Sequence, residues 1–104
     1  MTGEAARILS HVPNSGIVQM PGRRFPGIVM QGDTLSNVFD AVVFALDDAK
    51  ARRDEDAYYE LLMFAETLQG QLQHYEQTLS RISMPLPYTR SINERLISDK
   101  YEDA

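Results

Sequence analysis

Apolar and polar positions along the chain change period once. Over residues 7–31 they form three short runs separated by turn residues, and from residue 34 they recur every three or four positions. RILSHV (7–12) alternates loosely and predicts a first strand. Pro13-Asn14-Ser15-Gly16 then forms a turn, with Gly able to take positive φ. IVQM (17–20) and IVMQ (28–31) predict a second and a third strand. The loop between them, PGRRFPG (21–27), cannot be regular, because Pro21 and Pro26 each remove a ladder donor. Connections this short favour an antiparallel meander.

Leu35, Val38, Phe39, Val42, Leu46 and Ala49 fall at helical spacing and predict a first helix from residue 34 to about residue 50. Asp33 stands where an N-cap belongs, and Lys50, Arg52 and Arg53 suit the negative end of the dipole. Asp54, Glu55 and Asp56 then open a second helix that runs to about Ile82, giving a helical hairpin. Its apolar stripe, Leu61, Ala65, Leu68, Leu72, Tyr75, Leu79 and Ile82, steps by four and three without a break. At ~1.5 Å per residue the second helix is about 42 Å long and the first about 25 Å. The first helix therefore leaves part of the seam uncovered. The sheet, the C-terminal segment or a second copy of the chain must cover the rest, which makes Leu68, Leu72, Tyr75, Leu79 and Ile82 the candidate oligomer interface.

Past Ser83, Pro85 and Pro87 enforce extended backbone. Ser91-Ile-Asn-Glu94 has capping-box spacing, so a last short helix is expected over 92–100 with Ile92, Leu96 and Ile97 as its apolar positions, followed by a frayed YEDA. The fold class is thus α+β within a single domain: a meander over 1–32, a helical hairpin over 33–83 and a tail over 84–104. The expected packing is sheet on hairpin.

The 104 residues are 43% hydrophobic and 24% charged, ordinary values for a small globular domain. With no cysteine, disulfides and thiolate metal sites are excluded. The sequence has no apolar run of the ~18 residues a membrane span needs and no signal-peptide core, so a soluble cytoplasmic protein is expected. Charge is unevenly spread. Residues 1–32 carry +2, residues 33–66 carry −6 and residues 67–104 carry −1. The acidic middle repels phosphate backbones and favours basic partners, which argues against direct nucleic-acid binding.

Catalytic candidates are thin. Ser10 and His11 are strand neighbours and point to opposite faces. His74 and Glu76 lie about 200° apart on a helical wheel, wrong for a shared metal, and no metal-ligand spacing occurs. Asp54, Glu55, Asp56 and Glu60 read as dipole-compensating acids rather than a cation site. Gly22, Gly27 and Gly32 do not form a phosphate loop. No catalytic residue, metal or cofactor is assigned. Two surface features remain. Phe44 points away from the first helix's apolar stripe into an acidic face with Asp40, Asp47 and Asp48, as an interface anchor does. Arg23 and Arg24 stand at a loop tip and could grip a carboxylate or phosphate. Tyr59 and Met63 also stray from the seam, and Phe25 is expected to fold inward and pin its loop.

The order Gly16, Pro26-Gly27, Gln31-Gly32-Asp33-Thr34-Leu35 and Ala45-Leu46 resembles the antitoxin half of HicAB toxin–antitoxin modules, over about residues 7–50. The PGRRFPG loop is about one residue longer than in that family. The second half lacks that family's extra strand and DNA-binding module, so operator binding is not implied. The whole chain, with HisTyrGlu (74–76) and ProLeuProTyr (85–88), is also similar to a family of small bacterial proteins of unassigned function. The antitoxin resemblance implies a non-enzymatic, immunity-type inhibitor that masks a basic toxin, with Asp40, Phe44, Asp47, Asp48, Arg23 and Arg24 as partner-binding residues. The alternative expectation is a structural or regulatory protein that homodimerises through its long helix.

Overall fold

The computed structural model describes residues 5–97 and has the α+β class that the pattern predicts. Strands β1 (Arg7–Ser10), β2 (Gly16–Gln19) and β3 (Gly27–Val29) precede helices α1 (Gly32–Ala51) and α2 (Glu55–Arg81), and a 3-10 turn covers Ile92–Arg95. Among the described residues no helix is long and apolar enough to cross a membrane.

The sheet is an antiparallel meander in the order β1-β2-β3. Ile8 pairs with Val18 and Arg7 with Gln19, and a bulge before Ser10 brings that residue opposite Ile17. Asn14 turns the first hairpin at φ 64, a left-handed conformation that Asn tolerates better than most residues. In the PGRRFPG loop Gly22 sits at φ 79, and the Gln19 side-chain amide donates to the Arg23 carbonyl at 2.6 Å.

The helix ends follow local chemistry, with one revision. α1 is capped at Gln31, not Asp33; Asp33 lies in the first turn, where its carboxylate accepts from the Thr34 N–H at 2.9 Å. It therefore still faces the positive end of the dipole. Asp54 is the N-cap of α2 and accepts from the Ala57 N–H at 3.2 Å. Both helices stop with a residue in the left-handed region, Arg53 at φ 58 and Ser83 at φ 58. In each case an N–H reaches back five residues, Asp54 to the Ala49 carbonyl at 3.0 Å and Met84 to the Leu79 carbonyl at 2.9 Å. Glycine usually holds that position. The turn out of α1 at Arg53 leads straight into the Asp54 cap, which makes the hairpin tight.

The core lies between α1 and α2. Phe39, Val42, Leu46 and Ala49 of α1 and Ala65, Leu68 and Leu72 of α2 are buried. Full burial of each large side chain contributes ~1.5–3 kcal/mol. At its start α1 comes so close to α2 that Gly32 packs on the Tyr75 ring, and any Cβ there would overlap the ring. The tail returns along the hairpin and inserts Ile92 and Ile97, each 1% exposed. The last helical element is a single 3-10 turn, shorter than the helix expected over 92–100; residues 98–104 lie outside the described residues.

The sheet departs from expectation. It does not pack on the hairpin: none of its residues is buried, and none joins the core. The radius of gyration, 16.4 Å, exceeds the ~13 Å of a compact chain this long. The hairpin and its tail bury one another's stripes, and the sheet takes no part in that core.

Two glycines make a paired test of this packing. Gly70 lies within α2 with nothing near its Cα, so Gly70→Ala should stabilise the protein by ~0.5–1 kcal/mol in urea unfolding. Gly32→Ala should destabilise it by ~1–3 kcal/mol, because the Tyr75 ring must be displaced. A Gly32→Ala midpoint at or above wild type would show that this contact is loose.

Candidate protein-interaction surface

The tail is held to α2 by two side chains seven residues apart on one helix face. Glu76 Oε2 accepts from the Ile92 N–H and from the Tyr88 hydroxyl, both at 2.8 Å. Gln69 Oε1 accepts from the Ile97 N–H at 2.9 Å. Tyr88 also stacks on Tyr75, with ring centroids 6.5 Å apart. The 3-10 turn starts with the expected reciprocal contact, the Glu94 carboxylate accepting from the Ser91 N–H at 3.3 Å. From that turn Arg95 reaches α1. Its Nη1 donates to Asp40 Oδ1 at 2.9 Å, while the guanidinium lies 5.6 Å from the Phe39 ring centre and 5.3 Å from that of Tyr88. The Arg95 side chain is only 6% exposed, and its Nη2 is buried without a hydrogen-bond acceptor. Attraction to the two flanking rings offsets part of that loss.

A groove of about 470 Å³ lies beside Arg95, lined by Phe39, Asp40, Val43, Arg90, Asn93, Glu94, Arg95 and Leu96. Its charges are mixed, Asp40 and Glu94 standing with Arg90 and Arg95, and its lining holds no serine, cysteine, lysine or histidine. Among the described residues no three His, Cys, Asp or Glu side chains cluster so as to hold a metal.

The expected partner-binding residues separate into three situations. Phe44 is 78% exposed on the solvent face of α1, with Asp40, Asp47 and Asp48 one turn away on either side. Asp48 binds Arg52 Nε at 2.9 Å, an exposed pair that raises the Arg52 pKa chiefly through that hydrogen bond. Asp40 serves the tail through Arg95, so it is first a structural residue. Arg23 and Arg24 stand exposed at the β2–β3 loop. Phe25, expected to fold inward, is instead 72% exposed, and Arg24 lies over its ring at 5.2 Å. With no helix under the sheet, there is no interior for Phe25 to enter.

The candidate oligomer seam is also corrected. Leu68, Leu72 and Leu79 are buried within the chain and Tyr75 is half-buried against Gly32, which leaves Ile82 as the exposed member of the five. α1 is longer than the sequence pattern indicates, and the tail covers what α1 leaves. Sequence reasoning missed Gln69, Glu76 and Arg95. The signal available was two polar residues seven apart flanking an apolar seam, a pattern that also fits an ordinary solvated edge.

The uncovered sheet has two unlike faces. Residues paired across strands share a face, so Ile8, Val18 and Gly27 lie together with Gly16 and Val29, while Arg7, Gln19, Ile17 and Ile28 occupy the other. The first face carries an apolar groove of about 330 Å³, walled by Ile8, Val18, Val29 and Val12 and free of carboxylates, lysines and arginines. Ser10 and His11 border this groove but lie at and beyond the end of β1. On the second face Ile28 is 73% exposed. Met20, Phe25 and Met30 add further exposed apolar surface around the strands. On α2, Tyr59, Met63 and Phe64 are exposed as well.

The chain belongs to a family of unknown function, DUF6959, whose model matches residues 1–88. No curated protein and no solved structure matches the chain. The match names no activity, and the antitoxin resemblance continues to rest on residues 7–50 alone.

Burial, and then the hydrogen bond to Glu76, push the Tyr88 phenol above its ordinary value. The unfolded chain ionises this group near ~10 and the folded chain only at higher pH, so its contribution is complete below ~10 and is lost as pH climbs beyond. Tyr88→Phe should cost about 1 kcal/mol near neutral pH, from the lost hydrogen bond. In paired urea titrations the difference between wild type and variant should shrink from pH 8.5 to pH 10.5, roughly the window around the free phenol pKa. A difference that does not change with pH would mean that Tyr88 is not held as described.

Proposed function

We propose that this chain is a non-enzymatic protein-binding module of antitoxin or immunity type. The observation that carries the reading is a three-stranded sheet with apolar faces and no covering layer. A small sheet gains stability from packing one face against another element, and monomeric proteins rarely leave such patches open without a partner. The acidic face around Phe44 supplies a second docking surface of opposite character. An exposed aromatic among carboxylates suits an anchor for a basic protein, with the acids steering encounter and Phe44 providing affinity. The resemblance of residues 7–50 to HicB-like antitoxins supports a toxin as that basic partner. The apolar side chains and mixed charges of the Arg95 groove favour binding over chemistry.

The test is genetic and direct. A small gene adjacent to this one, induced alone, should arrest growth, and co-expression of the wild-type chain should restore it. Phe44→Ser combined with Asp47→Lys and Asp48→Lys should reduce the rescue at least ~10-fold, as loss of an interface anchor does. A harmless neighbour, or equal rescue by the variant, would remove the antitoxin reading.

A further inference from the structure

We infer that the first occupant of these two surfaces is a second copy of the chain, in a reciprocal dimer. The sheet of each copy covers the Phe44 face of the other. This rests on reading both surfaces as protein-docking sites, and it adds the partner's identity.

Three features point to it. The first is charge. Residues 5–31 carry Arg7, Arg23 and Arg24 with no acid, whereas residues 32–97 carry eleven acids against six bases. One chain therefore presents an uncharged apolar groove on a sheet whose β2–β3 loop carries Arg23 and Arg24, and an acidic helix face, and the two suit each other better than either suits itself. Sheet-on-sheet stacking would bring six arginines into one assembly with no carboxylate between them.

The second is shape. Phe44 stands 78% exposed, an aromatic knob on a helix, and the groove walled by Ile8, Val12, Val18 and Val29 is an apolar hollow of about 330 Å³. Seating the ring there buries both, with Asp47 and Asp48 one turn from the anchor and the Arg23–Arg24 loop beyond the far end of the same strands.

The third is area. Strands of this length make a plate only about 13 Å by 14 Å. One sheet-on-helix contact over that plate falls well short of the ~800 Å² per partner found in stable interfaces. A two-fold pair uses both surfaces of both chains and doubles the plate's share to roughly 360 Å² per chain, so the flanking loops must supply the rest, and it closes at two copies rather than growing into a filament.

Sedimentation of the full chain tests the inference, with two variants designed around the charges. Arg23→Glu/Arg24→Glu makes the loop beside the sheet acidic, and Asp47→Lys/Asp48→Lys removes the acids beside Phe44 and makes that surface basic. Wild type should sediment as a dimer of 11.8 kDa chains, and each variant alone should associate at least ~30-fold more weakly. Mixed in equal amounts, the two variants should recover the dimer, because every sheet then meets an oppositely charged helix face. Phe44→Ser should weaken the dimer, and Ile28→Ser, on the other face of the sheet, should not. All substituted side chains are exposed, and circular dichroism of each variant checks that the helices are intact.

A wild-type chain that stays monomeric up to ~100 μM, far above the micromolar range of weak specific complexes, would overturn the inference. So would a dimer that survives both charge reversals, or variants that fail to join on mixing. A monomeric wild type that still relieves growth arrest would remove the second copy and leave the toxin-binding reading standing. A dimer with no rescue would do the reverse.

Discussion

The C-terminal segment is strapped along α2 by two backbone N–H groups held on side-chain oxygens. Ile92 gives its N–H to Glu76 and Ile97 gives its N–H to Gln69. The spacing of the two acceptors, seven residues, places them on one face two turns apart, so that the tail lies along the helix instead of crossing it. Between these anchors two isoleucines fill the core beside Leu68 and Leu72. A pair of helices alone would bury one stripe of each and leave the far side of α2's seam wet. The strap closes it. Through Arg95 it also ties α2 to α1, because that guanidinium is held by Asp40 and by the rings of Phe39 and Tyr88.

A helical unit that closes on itself has a consequence at the other end of the molecule. The sheet takes no part in that packing, and it stands apart with none of its residues buried. The surface left by this arrangement is divided by charge as well as by position. Arginines mark the sheet, and carboxylates mark the solvent side of α1. The groove beside Arg95 is lined by apolar side chains and by charges of both signs.

Much of this was legible from local pattern. The meander follows from turn residues and short connections, and α2 from an unbroken step of four and three. The cap at Asp54 and the reciprocal contact between Ser91 and Glu94 follow from side chains that reach a backbone three residues away. The exposure of Phe44 was legible too, because its place on the helical wheel lies opposite the stripe. Other readings failed for one common reason. Phe25 was expected to turn inward, and the sheet to pack on the hairpin. Each expectation depended on what lies across from the residue, and no local spacing carries that information. Asp33 is a smaller case: a good capping residue stands two positions inside the cap, and Gln31 takes the end.

The sequence by itself determined the elements, their order, the stripe each helix would bury and the separation of charge between sheet and hairpin. These depend on contacts within four residues or on composition, where propensity, periodicity and capping act directly. Only the tertiary structure decided which element covers which stripe. The tail rather than the sheet or another copy fills the seam, with two isoleucines in the core and their N–H groups held by Glu76 and Gln69. That choice left the sheet uncovered, and it is the long-range packing, not any local motif, that exposes the surfaces from which a function can be argued.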